Sequence, residues 1–441
     1  MRKVLLSISL VLLAGCGGGG GSPGTTFTIG GTVSGLTSGT LVLKNNNGDD
    51  LTINANSTSF AFASALASGA AYAVTAGTRP SRLACDISNN TGTVAGANVT
   101  GVTITCIAPV YVANADSNTV SMYAVNATTG VLTALSTPTV ATETGPTSIV
   151  VNPAGTFAYV TNETSNTVSM YAINSTTGIL TPLTTPTVAT GTSPSSINVN
   201  PAGTFAYVTD KRSDTVSMYA INATTGVLTP LTTPTVATGE TRPFSIAVHP
   251  TGTFAYVAYD LGVNVSMYSI NAATGILTAL TTPTVATGSS PLTIAVHPAG
   301  TFAYVTNEGS NTVSMYAINT TTGQLTALTT PTVATGSGPS VIAINPAGTF
   351  AYVTNQSSNT VSMYAISSTT GILTPLTTPT VATGTRPFSI AVNSAGTFAY
   401  VANYDGNTVS MYTINGTTGI LTALTTPTVA TGTAPVGIAF K

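Results

Sequence analysis

One unit of about 48 residues occurs seven times between Pro109 and the C-terminus, in nearly identical copies. Each copy contains the sequence FAYV, or VYV in the first copy. The tyrosines of this sequence are 48 or 49 residues apart, at Tyr111, Tyr159, Tyr207, Tyr256, Tyr304, Tyr352 and Tyr400. A period of this size with only β-type segments is typical of a propeller blade. The sequence therefore predicts an all-β fold with a seven-bladed β-propeller over residues 109–441.

Each repeat divides into four strands, predicted in the second repeat at residues 148–151, 157–162, 167–174 and 178–183. The turn Asn152-Pro153-Ala154-Gly155 suits a type I turn, so the strands are expected to form a simple meander. The first repeat lacks an inner strand, whereas the chain ends in GIAF, an inner strand without the other three. We expect this C-terminal strand to complete blade 1 and close the ring, which removes an open sheet edge.

The first residues are typical of an export signal. A basic start precedes an apolar run too short to span a bilayer, and the sequence LAGC at residues 13–16 resembles the bacterial lipobox. The resemblance implies a lipoprotein signal peptide over residues 1–15 and a diacylglyceryl group on Cys16. The alternative is an ordinary signal peptide beside a chance cysteine. Gly-rich residues 16–24 predict a flexible tether. Because Gly17 is not the aspartate that usually retains lipoproteins in the inner membrane, we expect an outer-membrane lipoprotein of the cell envelope, facing the periplasm or the surface.

Residues 25–107 contain short alternating stretches without a helical period, which predicts a small β-sandwich of immunoglobulin-like type. Its length of about 80 residues allows only a thin core. Cys85 and Cys106 lie in this segment, and an oxidising compartment favours a disulfide between them. A metal pair or a catalytic thiol is the alternative, but neither cysteine has a neighbouring histidine or third cysteine.

Composition excludes some partners. The chain has 10 Lys and Arg, 12 Asp and Glu and a net charge of −2, which cannot attract a polyanion strongly. No nucleic acid is therefore expected as a partner. A Thr-rich, Lys-poor surface suits an extracytoplasmic protein. We expect a monomeric propeller that binds no metal and no cofactor.

The phrases YVTN and SNTVSMYAIN, as at residues 159–174 and 304–319, resemble the YVTN repeat of surface-layer and other cell-surface propellers. The repeat region, with its N-T-V-S-x-Y and T-G-x-L motifs, is also similar to the lactonase family of seven-bladed propellers, which includes 6-phosphogluconolactonase. This resemblance implies the propeller fold and raises lactone hydrolysis as an activity. Members of that family are expected to carry His, Arg and Glu at one mouth of the channel. No such cluster aligns with this sequence residue by residue.

Near-identical repeats draw attention to the residues that break the symmetry. In a four-strand meander, the loops between strands two and three and the linkers between blades open on one face. Almost all charged residues of the repeats fall in these two kinds of segment: Asp116, Glu143, Glu163, Asp210, Lys211, Arg212, Asp214, Glu240, Arg242, Asp260, Glu308, Arg386 and Asp405. The alternative is that these loops simply vary more freely.

Arg242 and Arg386 each precede an inner strand, in blades 4 and 7, and are therefore expected near the channel mouth. Blades three steps apart lie nearly opposite, so the two guanidinium groups are predicted to face each other and bind a carboxylate or phosphate. Lys211 and Arg212 would extend the basic side. The alternative is that each arginine pairs with a nearby acid such as Glu240.

Catalysis is less well supported by the sequence. His249 and His297 replace the asparagine before the proline of the first turn and are expected on the opposite face. Glu143 and Glu240 remain as candidate bases, without an identifiable partner. The sequence thus favours a lipid-anchored binding platform for an envelope glycan, a peptide or a partner protein. The alternatives are a lactone hydrolase and a structural envelope component.

Overall fold

A computed structural model describes residues 24–441, and every regular element in this range is a β-strand. The predicted signal peptide, Cys16 and all of the tether except Gly24 lie outside the described residues, so the lipid anchor stays a prediction. Within the described range, no helix is long and apolar enough to cross a membrane.

The N-terminal unit is a small sandwich of two sheets. Its strands are β1 (Thr26–Phe27), β2 (Ile29–Ser34), β3 (Thr40–Asn45), β4 (Gly48–Asn54), β5 (Ser59–Ala61), β6 (Leu66–Ala67), β7 (Ala71–Thr78), β8 (Ala84–Ser88), β9 (Thr91–Thr93) and the first part of β10 (Val99–Asn114). The order β8-β10-β2-β5 forms one sheet, β4-β3-β7-β9 forms the other, and β1 pairs with β6. Fully buried Leu41, Leu43, Val74 and Ile104 contribute to their common core. The predicted disulfide is confirmed, because Cys85 on β8 is bonded to Cys106 on β10.

Strand β10 belongs to both units, so the boundary predicted at residues 107–109 falls inside a continuous strand. Residues up to Ile107 pair with β8, whereas Ala108 to Asn114 pair with the neighbouring strand of blade 1. Pro109 occurs at this change of partners. A proline does not interrupt a strand at a position where no N–H donor is required.

The remaining strands form seven four-stranded blades. Blade 1 contains the second part of β10 with β11 (Thr119–Val125) and β12 (Leu132–Ala141). Blade 2 contains β13 (Pro146–Val151), β14 (Phe157–Asn162), β15 (Thr167–Ile173) and β16 (Leu180–Ala189), and blade 3 contains β17 (Pro194–Val199), β18 (Phe205–Asp210), β19 (Thr215–Ile221) and β20 (Leu228–Ala237). Blade 4 contains β21 (Pro243–Val248), β22 (Phe254–Tyr259), β23 (Asn264–Ile270) and β24 (Leu277–Ala286), and blade 5 contains β25 (Pro291–Val296), β26 (Phe302–Asn307), β27 (Thr312–Ile318) and β28 (Leu325–Ala334). Blade 6 contains β29 (Pro339–Ile344), β30 (Phe350–Asn355), β31 (Thr360–Ile366) and β32 (Leu373–Ala382). Blade 7 contains β33 (Pro387–Val392), β34 (Phe398–Asn403), β35 (Thr408–Ile414) and β36 (Leu421–Ala430), and β37 (Pro435–Phe440) completes blade 1.

The predicted ring closure is confirmed. Strand β37 pairs antiparallel with β10, with Ile438 opposite Val112, and it contacts the inner strands β13 and β33 of the two neighbouring blades. The outer strand of each blade is longer than predicted: β16 runs to Ala189 rather than to residue 183 and includes Pro186. An outermost strand tolerates proline because one of its edges has no hydrogen-bonding partner.

The contacts between neighbouring blades, here called seams, explain why the repeats are nearly identical. The hydroxyl of Tyr159 donates to the carbonyl of Gly226 in the next blade at 2.8 Å, and a bond of the same kind closes the ring from Tyr400 to Gly130 at 2.7 Å. The second tyrosine of the blade, Tyr171, bonds backwards to the carbonyl of Ala141 at 2.6 Å. Each repeat therefore needs both tyrosines and the glycine.

The sandwich packs against the face of the propeller that carries the turns between strands one and two and between strands three and four. The amide N–H of Cys85 donates to the carbonyl of Ser175 at 3.0 Å, and the Lys441 ammonium donates to the carbonyl of Leu83. The opposite face, which carries the loops between strands two and three, therefore stays open to solvent.

Candidate functional site

A cavity of about 530 Å³ opens on the free face of the propeller, around the axis. Residues from all seven blades line it, in layers that follow the inner strands downward. Its volume lies in the range of small-molecule sites.

The outermost layer, here called the mouth ring, consists of the first residue after the second strand of each blade. The same backbone hydrogen bond occurs in every blade. For example, the N–H of Glu163 donates to the carbonyl of Gly145 at 2.7 Å, and the N–H of Tyr404 donates to the backbone carbonyl of Arg386 at 2.8 Å. The side chains differ among six residue types, although the surrounding repeats are nearly identical. The seven members, in blade order, are Ala115, Glu163, Lys211, Asp260, Glu308, Gln356 and Tyr404.

Two further layers lie below the mouth ring. Directly after the first proline of each inner strand come Thr147, Ser195, Phe244, Leu292, Phe388 and Val436, which line the cavity, and Ser340, which is buried. The layer beneath is mainly small and polar: Ser148, Ser196, Ser245, Thr293, Val341, Ser389 and Gly437. The cavity thus offers hydroxyl groups at depth and a mixture of apolar and charged groups near its opening.

Asp260 is the centre of the charge network in the mouth ring. One of its oxygens, Oδ2, accepts from Lys211 Nζ at 2.8 Å and from Arg242 Nη2 at 2.6 Å. Burial opposes ionisation of this carboxyl, but the hydrogen bonds from Lys211 and Arg242 outweigh it and hold its pKa below the usual value. Lys211 also lies over the ring of Phe244, 5.2 Å from the centroid. Lys211, Arg242 and Asp260 together therefore carry one net positive charge.

Glu308, on the neighbouring blade, behaves in the opposite way. Burial and the negative charge of Asp260 raise the pKa of its carboxyl, and Arg386 and Lys211 offset only part of this effect. Glu308 forms no ion pair with any residue of the described range. The cavity therefore contains two adjacent carboxyl groups whose pKa values are displaced in opposite directions.

The residues predicted as a ligand site separate into two groups. Lys211 and Arg386 line the cavity, whereas Arg242, Arg212 and Glu240 do not. Arg242 bonds Asp260 within its own blade, and Glu240 accepts a hydrogen bond from Asn264. The predicted pair of opposed arginines is thus replaced by one arginine at the cavity and one that supports Asp260.

The guanidinium group of Arg386 has no strong ion-pair partner. Its guanidinium carbon lies 4.6 Å from the centroid of the Tyr404 ring. Its ion pair with Asp405 is long, at 3.6 Å, and both side chains are about half exposed. Because exposed pairs of this kind contribute little, the guanidinium remains available to a ligand in the cavity.

The two histidines lie in turns on the covered face, as the sequence predicts. His249 Nε2 bonds the carbonyl of Gly300 at 2.8 Å, and His297 makes the same contact with Gly348 at 2.9 Å. Neither lines the cavity. Across residues 24–441, no group of three or more His, Cys, Asp or Glu side chains is placed to hold a metal ion.

Sequence reasoning did not single out Glu308, Asp260, Gln356 and Tyr404 as site residues. The first two were noticed only as two of many loop charges, and the other two carry no charge. An alignment of the seven repeats identifies the two residues that follow the second strand as variable, and the first of these is the mouth-ring position. The mouth-ring position carries six residue types in the seven blades, while the strand before it is nearly constant. The residue after it varies equally but does not line the cavity, so only the structure separates the two.

Seven blades closed by the C-terminal strand around an axial cavity define a seven-bladed β-propeller. The chain matches the family described as "Lactonase, 7-bladed beta-propeller" over residues 108–290 and 240–438, which is more than half of its length. The protein belongs to this family.

Three solved structures illustrate the similarity. A putative 6-phosphogluconolactonase from Bacteroides fragilis is 23% identical, with a TM-score of 0.66, and the match covers 76% of this chain and 98% of that one. A putative 6-phosphogluconolactonase from Bacteroides uniformis is 20% identical, with a TM-score of 0.66 and coverage of 76% and 99%. The periplasmic gluconolactonase from Pseudomonas aeruginosa is 20% identical, with a TM-score of 0.65 and coverage of 76% and 99%. These similarities concern the fold. No curated protein matches the chain.

Proposed function

We propose that the protein hydrolyses a lactone, a cyclic ester, in the cavity at the propeller mouth. The observation that carries this proposal is a pair of carboxyl groups at neighbouring mouth-ring positions of one cavity: Asp260 is held by Lys211 and Arg242, whereas Glu308 forms no ion pair with a described residue. The pKa values of the two groups are displaced in opposite directions accordingly. Environments that separate two carboxyl groups in this way identify an ionised structural group and a candidate acid–base group. Membership of the lactonase family supports the reaction class.

Glu308 is the general base in this proposal. Its carboxylate removes a proton from a water molecule while the water oxygen attacks the carbonyl carbon of the lactone. The ring C–O bond then breaks, and the leaving alkoxide takes the proton back from Glu308, which gives a hydroxy acid. A base whose pKa is raised towards the working pH is suited to this exchange.

Lys211 stabilises the oxyanion that forms during the attack. Its ammonium group has three N–H bonds, of which one is directed to Asp260, and the Lys211, Asp260 and Arg242 group carries one net positive charge. Asp260 holds the ammonium group at the cavity wall before substrate binds. Electrostatic preorganisation of this kind is a major source of catalysis.

The binding platform favoured by the sequence has less support, because similarity to lactonases points to the hydrolase. It remains a second function for the same open face. Export and the lipid anchor on Cys16 also remain proposals, with the Cys85–Cys106 disulfide as support for an oxidising compartment.

The test is hydrolysis of simple lactones by the purified protein, corrected for the spontaneous rate, with the variant Glu308→Gln alongside. We expect kcat to fall about 10²- to 10⁴-fold, the usual contribution of a general base. Gln356 occupies the same position in blade 6, so the backbone accommodates glutamine there. In the wild type, kcat/KM should fall as the pH drops through the raised pKa of Glu308, because the base must be ionised.

The matched control is Glu163→Gln, which removes the other mouth-ring glutamate. We expect it to reduce kcat less than tenfold. Equal losses in the two variants would show that Glu308 has no special role, and full activity of Glu308→Gln would exclude it as the base.

A further inference from the structure

Charged and apolar side chains are unevenly distributed around the cavity mouth, although Phe244 and Leu292 also line it from blades 4 and 5. Blades 2 to 5 contribute Glu163, Lys211, Asp260 and Glu308, here called the charged half. Blades 7 and 1 contribute Ala115, Phe388, Tyr404 and Val436, here called the apolar half; its one charged lining residue is Arg386, whose guanidinium lies over the ring of Tyr404. Val436 belongs to one hydrophobic cluster of the propeller core, and Ala115, Phe388 and Tyr404 pack against that cluster. In a ring of seven, blade 4 lies opposite the junction of blades 7 and 1, so the two halves face each other.

The charges around the mouth do not suit a phosphate ester. Five charged side chains line the cavity, Lys211 and Arg386 against Glu163, Asp260 and Glu308, which leaves one net negative charge. Lys211 and Arg242 are both engaged by Asp260. A doubly charged phosphate would meet two carboxylates without an ion pair and only one available guanidinium group.

We propose that the substrate is an uncharged lactone with an alkyl or aryl substituent. This inference rests on the proposed lactone hydrolysis and specifies its substrate class. The lactone ring lies at the charged half, near Glu308 and Lys211, and the substituent packs against Phe388, Tyr404, Val436 and Ala115. Transfer of the substituent from water to this apolar wall supplies binding free energy in proportion to the area buried.

The chain offers a matched pair of residues to test this division. The sequence RPFSIAV occurs at residues 242–248 and again at residues 386–392. Phe244 lies beneath the ammonium group of Lys211, whereas Phe388 packs with the apolar half. The same side chain in the same local sequence therefore has two different environments. Serine stands at the equivalent position in blades 3 and 6, as Ser195 and Ser340, so both phenylalanines can be replaced by serine with little backbone change.

The experiment measures kcat/KM for δ-lactones with alkyl substituents of increasing length, beside glucono-δ-lactone and 6-phosphogluconolactone. For the wild type we expect a rise of about two- to fourfold for each of the first few methylene groups, since a buried methylene is worth about 0.8 kcal/mol. Phe388→Ser should flatten this dependence on chain length. Phe244→Ser should lower kcat/KM for every lactone by a similar factor through the position of Lys211, and so preserve the dependence.

Each outcome is decisive. Faster hydrolysis of 6-phosphogluconolactone or glucono-δ-lactone than of any alkyl lactone would overturn this inference and leave the proposed hydrolase standing. A chain-length dependence that survives in Phe388→Ser would show that the substituent lies elsewhere and would overturn the assignment of the apolar half. Hydrolysis of none of these lactones would overturn the proposed function, and this inference with it.

Discussion

The seams and the mouth ring are built from the same repeat but tolerate variation very differently. At the seams, a tyrosine hydroxyl bonds a glycine carbonyl of the next blade in all seven places, at 2.6 to 2.9 Å. At the mouth ring, seven equivalent positions with the same backbone hydrogen bond carry six residue types. Identity between repeats therefore reports on blade packing, whereas the differences concentrate in the loops and linkers of the open face, part of which lines the cavity.

In blade 4 the sequence differs from the other repeats inside a strand as well as at the cavity mouth. Its second strand ends in Tyr259, where five blades have asparagine, and the Tyr259 hydroxyl donates to the carbonyl of Thr238 at 2.8 Å. The same carbonyl accepts from the seam tyrosine Tyr268 at 3.2 Å. The one 49-residue step of the repeat precedes this blade, and its linker includes Gly239 and Glu240. The blade that holds Asp260 and Arg242 is thus the one that departs most from the repeat.

The largest expected effect is at a seam glycine. Gly226 has a φ of +73°, and a Cβ added there would lie 2.3 Å from the ring of Phe157. We expect Gly226→Ala to lower the free energy of unfolding by about 2–5 kcal/mol, as the sum of left-handed strain and overpacking. Urea unfolding of the variant and the wild type measures this difference.

Gly239→Ala separates the two contributions. Gly239 has a φ of +80° and open space around it, so alanine there should cost only the strain, about 1–2 kcal/mol. If both variants lose the same stability, the packing of Phe157 on Gly226 contributes nothing and the seam is not the reason that the glycine repeats.

The fold could be predicted well from the sequence because the contacts between blades require the same tyrosines and glycine in every repeat. Tyrosine spacing gave the blade count, and the fragments at the two ends of the repeat region gave the closing strand. The predicted strand and domain boundaries were wrong at two prolines, which suggest a break in the local sequence but lie inside paired strands. Pro186 in the outer strand and Pro109 in β10 both occur inside strands, since neither position requires a backbone donor.

The site could be predicted only in part, because the identity of a ligand-facing residue depends on where its side chain lies. Arg242 and Arg386 occur in identical heptapeptides, yet only Arg386 lines the cavity. The difference arises from Asp260, which lies 18 residues after Arg242 and binds its guanidinium group. The equivalent position of blade 7 holds Tyr404, which has no carboxylate to bind Arg386 in the same way. A local sequence pattern does not contain that information.

The next largest effect is expected at Asp210, which ends the second strand of blade 3 where five blades have asparagine. Asp210 is fully buried, and burial raises the pKa of its carboxyl from 3.8 to about 6, although hydrogen bonds from Ser217 and Thr215 partly offset this. One of its oxygens, Oδ1, has no hydrogen-bond partner among the described residues. We expect Asp210→Asn to stabilise the protein by up to about 3 kcal/mol at pH 7.5, measured by urea unfolding.

The stabilisation expected from Asp210→Asn depends on pH, because it comes from the charge of the buried carboxyl group. The folded state binds the Asp210 proton more tightly than the unfolded state, so the protonated carboxyl contributes its full stability below pH 4 and loses it as the pH rises through about 6. The advantage of asparagine should therefore be absent below about pH 4, grow between pH 4 and pH 6 and be complete above pH 6. An advantage independent of pH would show that the carboxyl charge is not its cause.

The smallest of these effects compares one tyrosine at a seam with one at the mouth. Tyr304 is fully buried and donates to the carbonyl of Gly371 at 2.7 Å, so Tyr304→Phe leaves a buried acceptor without its donor. We expect a loss of about 1–3 kcal/mol in the free energy of unfolding. Tyr404→Phe, at the cavity opening, should change stability by less than about 0.5 kcal/mol, because surface substitutions away from such bonds rarely exceed this value. If instead Tyr404→Phe destabilises as much as Tyr304→Phe, the mouth ring also supports the fold, and the variation between its seven members has a structural cause rather than a functional one.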